Sequence, residues 1–234
     1  MRNKLNPFDA RKVNNNSLNF FNFFSWCFRF EIKSGEFVLI IGRSGAGKST
    51  IIRLINREIE PTRGEIYYKN LKISNINGRK KRELRRKIVT IFQDFKLLNK
   101  KTVWENLLLP IEIWGENGEK MKDKIYQLTE KLNLKNKLFQ KAETLSGGEK
   151  QKLCLIRGLL FNPEVILADE PTGNLDPLSA FEILEILKQL NKEGITIILA
   201  THNKEIVNSL RKRVITLEAG KIIKDENPGT YSIF

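Results

Sequence analysis

GRSGAGKS, residues 42–49, fits the spacing G-x-x-x-x-G-K-[ST] throughout. Gly42, Gly45 and Gly47 would let backbone N–H groups curl around phosphate oxygens, and a following helix N-terminus would add its dipole. Lys48 would neutralise β- and γ-phosphates, and the Ser49 hydroxyl would ligate Mg²⁺. A merely flexible glycine-rich turn leaves the Lys-Ser pair unexplained. VILADE, 165–170, brings Asp169 and Glu170 to the C-terminal end of an apolar strand, where open α/β sheets bind ligands. Asp169 suits Mg²⁺ coordination and Glu170 suits polarising an attacking water. LSGGEKQK, 145–152, places Ser146 as a helix cap ahead of Gly147 and Gly148, whose N–H groups would be bare. That is an anion-binding device or simply a well-capped helix, and the residues alone do not choose. His202, in ILATHNKE, is the only histidine of the chain. A lone histidine is more often packing than chemistry, so its role depends on its surroundings.

These residues need a scaffold, and the hydrophobic pattern supplies one. EFVLII (36–41), IVTIF (88–92), EVILAD (164–169) and ITIILA (195–200) are short apolar runs suited to buried strands. STIIRLINREI (49–59) predicts a helix directly after the glycine-rich loop, and PTRGEIYY (61–68) a turn and a strand. From Thr102 to about Leu160 the pattern is mostly helical, with capping boxes at Thr102/Glu105 and Ser146/Glu149. A later helix has Asp176 as cap, Pro177 as first residue, and Ile183, Ile186, Leu187 and Leu190 on one face. Gly194 stops it. Strand, helix, strand with fully apolar strands predicts a parallel α/β sheet interrupted by a helical insertion. We expect one domain, with a nucleotide-binding core at 1–93 and 162–234 and a helical subdomain at 94–161.

Composition narrows the class. With 234 residues the chain can bury a sizeable core. Cys27 and Cys154 are too few for a disulfide framework or metal cluster, which points to a reducing compartment. No stretch reaches the roughly 20 apolar residues of a membrane-spanning helix. SLNFFNFFSWCF (17–28) is interrupted by Asn19 and Asn22 and lacks a small-residue cleavage site, so a signal peptide is rejected. A net charge of +14 suits nucleic acid or an anionic membrane surface equally. The densest basic run, GRKKRELRRK (78–87), reads as a solvated loop leading into a helix.

The P-loop, LSGGE, ILADEPTGNLD and THN, in that order, resemble the ATP-binding cassette (ABC) ATPase subunits. The resemblance runs from about residue 28 to 217. It implies a P-loop NTPase core of the RecA-like kind, with an N-terminal antiparallel β element and an inserted helical subdomain. It implies Mg²⁺-dependent ATP hydrolysis, with ATP held by Gly42, Arg43, Ser44, Gly45, Ala46, Gly47, Lys48, Ser49 and Thr50. Gln93 would sense the metal and the attacking water, so the implied metal set is Ser49, Gln93 and Asp169. His202 would contact the γ-phosphate, donating from its protonated ring nitrogen, which gives the lone histidine a function. Lys48, Gln93, Glu170 and His202 form the implied catalytic set, and Asn174-Leu175-Asp176 would border the partner subunit.

In this family the signature of one subunit closes over the nucleotide of the other. Ser146, Gly147 and Gly148 would therefore act in trans within a homodimer. IFQDFKLLNKKTVWENLLLPIEIWG (91–115) resembles the branch serving cell division, whose partner is a membrane permease subunit. The alternative is an ATPase for lipoprotein release or small-molecule export. No specific nucleic acid is expected, because chromosome-maintenance relatives separate their motifs by long coiled coils absent here. The resemblance places the chain peripherally, at the cytoplasmic face of the cell membrane, with residues 93–114 against the permease and about half of their apolar side chains serving as core. Two departures stand out. No secure aromatic for stacking on adenine is present, Phe8, Phe20 and Phe21 being candidates. Lys152 and Gly158 stand where the family more often has Arg and Ala.

Overall fold

The computed structural model of the chain describes residues 19–24 and 29–232, with side chains from Phe30 onward. The candidate Phe8 and Cys27 lie outside the described residues, as do the side chains of Phe20 and Phe21.

Two sheets organise the fold. The first is antiparallel, in the order β2 (Arg29–Lys33), β1 (Asn19–Phe24), β4 (Glu65–Tyr68) and β5 (Leu71–Lys72). The second holds β3 (Phe37–Gly42), β6 (Ile88–Phe92), β7 (Val165–Asp169), β8 (Thr196–Thr201), β9 (Arg213–Glu218) and β10 (Lys221–Glu226). Their spatial order is β10-β9-β3-β8-β7-β6, parallel except for the β10 edge. The expected parallel sheet and antiparallel β element are both present.

The apolar strands alternate between two cores, as a pleat buried on both faces requires. Phe37, Leu39 and Ile41 of β3 face one cluster, joined by Ile166, Ala168, Ile197 and Leu199. Val38, Ile40, Val165, Leu167, Ile198 and Ala200 face the other. That second face packs on α1 (Lys48–Ile55), on Leu84 of α2 (Gly78–Lys87) and on Phe30, Ile32 and Ile66 of the antiparallel sheet. The first face is covered by α3 (Val103–Ile113), α4 (Gly118–Lys131), α5 (Gly147–Leu159), α6 (Pro177–Lys192) and α7 (Lys204–Leu210). Helices α3 to α5 fall between β6 and β7 in the chain, where the helical insertion was expected.

The predicted helix starts hold. Glu105 N donates to Thr102 Oγ1 at 3.1 Å while Thr102 N donates to Glu105 Oε2 at 2.7 Å. Ser146 and Glu149 form the same box, at 3.3 and 2.9 Å. Ser179 N donates to Asp176 Oδ1 at 3.0 Å, with Pro177 opening α6. Gly194, at φ 97°, closes that helix: its N–H reaches Asn191 O and Ile195 N reaches Leu190 O.

Two boundaries differ from the sequence reading. Helix α1 ends at Ile55 instead of running to residue 59. Arg57 takes the left-handed conformation usually left to glycine, its N–H bonding Leu54 O while Glu58 N bonds Arg53 O. The guanidinium of Arg57 is fully buried and donates from Nη2 to Glu60 at 2.9 Å, while its Nε and Nη1 find no partner among the described residues. The basic run 78–87 is wholly helical, not a loop leading into a helix. Leu84 anchors it, Arg79 pairs with Glu83 one turn on, and Arg85, Arg86 and Lys87 complement the C-terminal dipole.

Candidate active site

Strand β3 delivers Gly42 to the sheet edge, and α1 begins at Lys48. A Cβ at Gly42 would lie 2.6 Å from Leu217 O and 2.8 Å from the Ala46 Cβ, so only glycine fits. Gly45 and Gly47 have φ of 80° and 103°, which turns the loop back toward the helix. The buried Lys48 ammonium donates to Gly42 O at 2.9 Å and stands 3.9 Å from Glu170 Oε1. It is held inside its own loop, where a phosphate group would take over as partner.

Strand β7 brings the acidic pair beside this loop. Ser49 Oγ donates to Asp169 Oδ1 at 3.1 Å. Burial pushes the Asp169 carboxyl above its usual range and the Glu170 charge adds to this, while the Ser49 bond and Lys48 oppose it. Two hard oxygens on a desolvated carboxylate and a hydroxyl suit a divalent cation completed by phosphate oxygens, which is how Mg²⁺ is ordinarily held. Among the described residues, no cluster of three or more His, Cys, Asp or Glu is arranged to hold a metal alone.

Glu170 stands at φ 48°, its N–H tied to Ala200 O at 3.0 Å across the sheet. Its Oε1 lies 2.6 Å from His202 Nδ1, just past the end of β8. A carboxylate only accepts, so this bond places the ring proton on Nδ1. A neutral His202 has thus committed its one N–H to Glu170, and donating to a phosphate requires exchanging that partner or gaining a second proton.

Gln93, one residue beyond β6, donates from Nε2 to Asn174 Oδ1 at 3.1 Å, and Asn174 Nδ2 donates to Gln93 O at 3.3 Å. One open cleft of about 700 Å³ is lined by P-loop residues including Lys48, Ser49 and Thr50, together with Gln93, Glu170 and His202. Asp169 reaches the same place through Ser49. The smaller neighbouring cavity, lined by Arg43 to Ala46 and Thr216 to Ala219, extends from the P-loop side. Tyr231 also lines the main cleft, and no motif in the sequence pointed to it.

The signature residues are not in this cleft. Gly148 at the start of α5 packs on α6, where an added Cβ would lie 2.7 Å from Ser179 Oγ. A Cβ on Gly147 would lie 3.1 Å from Leu175 Cδ2 and 3.5 Å from Asn174 O. The start of this helix therefore lies next to Asn174-Leu175-Asp176, outside the residues that line the cleft.

The surface expected to meet a partner divides by burial. Val103, Asn106, Leu107 and Ile111 are core, whereas Leu98, Leu109 and Ile113 are exposed. Trp114 is covered by the Arg86 guanidinium, 4.5 Å from the ring centre, and by Phe161. Trp104 packs beside Tyr126 and Phe139 at 5.8 and 6.3 Å, and Phe139 is 74% exposed.

A cleft at the C-terminal edge of a parallel sheet, with P-loop, acidic pair and histidine converging on it, defines a P-loop NTPase. The ABC transporter family model matches residues 27–173, and the chain belongs to that family of ATP-binding cassette ATPases. It is 45% identical over 203 residues to the cell division ATP-binding protein FtsE of Bacillus subtilis, covering 87% of this chain and 89% of that protein. FtsE of Streptococcus pneumoniae is 43% identical, over 86% of this chain and 87% of its own length. The methionine import ATP-binding protein MetN of Francisella tularensis is 44% identical over 82% of this chain but 55% of MetN. Among solved structures, cbiO1 from Clostridium perfringens, part of the ABC transporter complex cbiONQ, superposes with a TM-score of 0.79 at 27% identity, covering 90% of this chain and 89% of cbiO1. A dimeric cassette in a post-hydrolysis state, bound to ADP and Pi, gives 0.77 at 31% identity, covering 92% of this chain and 99% of its own.

Proposed function

We propose that this chain couples ATP binding and hydrolysis to a membrane permease subunit, FtsX-like, in cell division. The observation that carries the chemistry is the convergence of Lys48, the Ser49–Asp169 pair and the Glu170–His202 pair on one cleft. Similarity to FtsE across nearly nine-tenths of its length, against about half of MetN, favours the cell-division role over import or export.

Lys48 exchanges its carbonyl partners for β- and γ-phosphate oxygens. Ser49 and Asp169 would hold Mg²⁺, with Gln93 lining the same cleft, and the ion would supply charge neutralisation to the phosphates. Glu170 orients or deprotonates the attacking water. His202, released from Glu170, reports on the γ-phosphate. Positioning and charge stabilisation carry most of this catalysis, since phosphoryl transfer asks little covalent chemistry of the protein. Ser146, Gly147 and Gly148 serve the partner copy's nucleotide in a homodimer, a reading supported by their lying outside the lining of the chain's own cleft. The core at 1–93 and 162–234 then carries the phosphates and the subdomain at 94–161 presents the signature.

No described helix is long and apolar enough to cross a membrane, which fits peripheral attachment at the cytoplasmic face through the permease. The exposed Leu98, Leu109 and Ile113 are the anchors we assign to that contact. Lys48→Ala should abolish nucleotide binding by titration; unchanged affinity rejects the P-loop assignment. Membranes washed in ~0.5 M salt, where surface charge is largely screened, should retain the parent with a permease and lose Ile113→Glu. Loss of the parent in the same wash, with no permease following it, rejects the coupling role.

A further inference from the structure

Residues after β10 return to the nucleotide cleft. Gly229 N donates to Lys212 O at 2.9 Å, and Tyr231 N donates to Asn208 Oδ1 at 3.1 Å. Gly229 has no room for a side chain: a Cβ there would lie 2.5 Å from Val214 Cβ. Lys224 Nζ reaches Ser232 Oγ at 3.4 Å from the neighbouring strand. The segment is therefore fastened on both sides of Tyr231. Asn208 sits on α7, the helix that follows His202, and Tyr231 lines the same cleft as that histidine.

The ring of Tyr231 is partly buried against the same apolar cluster as Val207 and Leu210, while the residue lines the cleft with Lys48, Glu170 and His202. Among the described residues, its hydroxyl makes no hydrogen bond. A phenol gripped by its ring with a free O–H is an uncharged donor of fixed position. Glu170 lines the cleft and Asp169 borders it through Ser49, so carboxylate charge there repels a triphosphate. Lys48 and Arg43 are cations lining the cleft, and a neutral donor adds attraction for phosphate oxygen without pairing with either carboxylate.

We infer that Tyr231 is a further nucleotide-contacting residue, its hydroxyl donating to the terminal phosphate of bound nucleoside triphosphate. This rests on the ATPase reading above and adds a means of telling tri- from diphosphate. On this assignment ADP, which lacks the terminal phosphate, leaves the hydroxyl unengaged.

Titration calorimetry with Mg²⁺ would compare a non-hydrolysable ATP analogue with ADP on the parent, Tyr231→Phe and Tyr231→Ala. Removing a hydrogen bond to a charged group should weaken the analogue about tenfold in Tyr231→Phe, with ADP affinity within about twofold. Thermal unfolding of Tyr231→Phe should match the parent, because the ring stays. Equal losses for both nucleotides in Tyr231→Phe would overturn the assignment, as would no loss for either. Tighter analogue binding in Tyr231→Phe or Tyr231→Ala would overturn it too, by making the residue an obstruction. A parent that binds neither nucleotide would reject the ATPase reading itself; a parent that binds both, with Tyr231→Phe unchanged, rejects only the tyrosine.

Discussion

Gln93 and Asn174 hold each other by two hydrogen bonds, side chain to side chain at 3.1 Å and side chain to backbone at 3.3 Å. The pair ties the residue after β6 to the loop ahead of α6, and Asn174 O also borders Gly147. Asn174 therefore meets Gln93 through its side-chain amide and the signature helix through its backbone carbonyl. Asn174→Ala removes both bonds and should lower kcat by up to about twentyfold, the worth of two ordinary hydrogen bonds, and leave nucleotide affinity within twofold. Steady-state kinetics beside equilibrium titration checks this; a change confined to affinity contradicts it.

Glu170→Gln keeps an oxygen that accepts from His202 Nδ1 and removes only the charge and basicity. ATP should still bind, hydrolysis should fall by at least about a hundredfold, and Mg-ATP should hold two copies together. Size measurement with and without Mg-ATP reads the outcome. Turnover at the parent rate, or a monomer at every concentration, contradicts it.

Asp169 gives a prediction in which stability and activity move oppositely. Its carboxyl is raised by burial, so the folded chain binds a proton there more tightly than the unfolded chain. Its contribution to stability therefore falls as pH rises through the window from the unfolded to the raised folded value, and the ionised group is a cost at neutral pH. Asp169→Asn should raise the Tm of nucleotide-free protein at pH 7 and narrow that gain toward acid pH. The same variant should lose Mg²⁺-dependent hydrolysis. A lower Tm at pH 7 contradicts the burial argument.

Gly148 packs so closely on α6 that Gly148→Ala would place its Cβ 2.9 Å from the Ser179 Cβ. Overpacking of this kind costs about 1–3 kcal/mol. Ser179→Gly removes both close atoms and should restore much of the loss in the double variant. Chemical denaturation of the four proteins measures the coupling, and strictly additive effects would show that the two residues do not press on each other.

The P-loop was legible because its chemistry is local: eight consecutive residues carry strand end, glycine turn and helix start. The capping boxes were legible for the same reason. His202 needed the order of distant motifs, since nothing within ILATHNKE distinguishes a phosphate sensor from a packed imidazole. The signature glycines were visible, but their packing on Ser179 was not, because tertiary contact alone brings α5 to α6. Gln93 and Asn174 meet across 81 positions of chain. Tyr231 lies in PGTYSIF, a stretch with no periodicity, and reaches the cleft through tertiary bonds from its segment to Lys212, Asn208 and Lys224. The overrun at α1 has a simple origin: Arg57 is not glycine, so nothing marked it as the left-handed residue that ends the helix.

The place of β3 in the sheet sets a timetable for the chain's synthesis. Val38 pairs beside Ile198 on one side and Arg213 on the other. The strand that ends in the P-loop leaves the ribosome early, yet both of its hydrogen-bonding edges stay open until β8 and β9 have emerged. FVLIIG is buried at every position in the finished sheet, so through most of translation it is an unpaired apolar ribbon with every incentive to find the wrong partner. Partial chains ending before Thr196 have no sheet neighbour to offer it. Such fragments should be captured by chaperones or aggregate, and the nucleotide cleft comes into being only in the last part of synthesis.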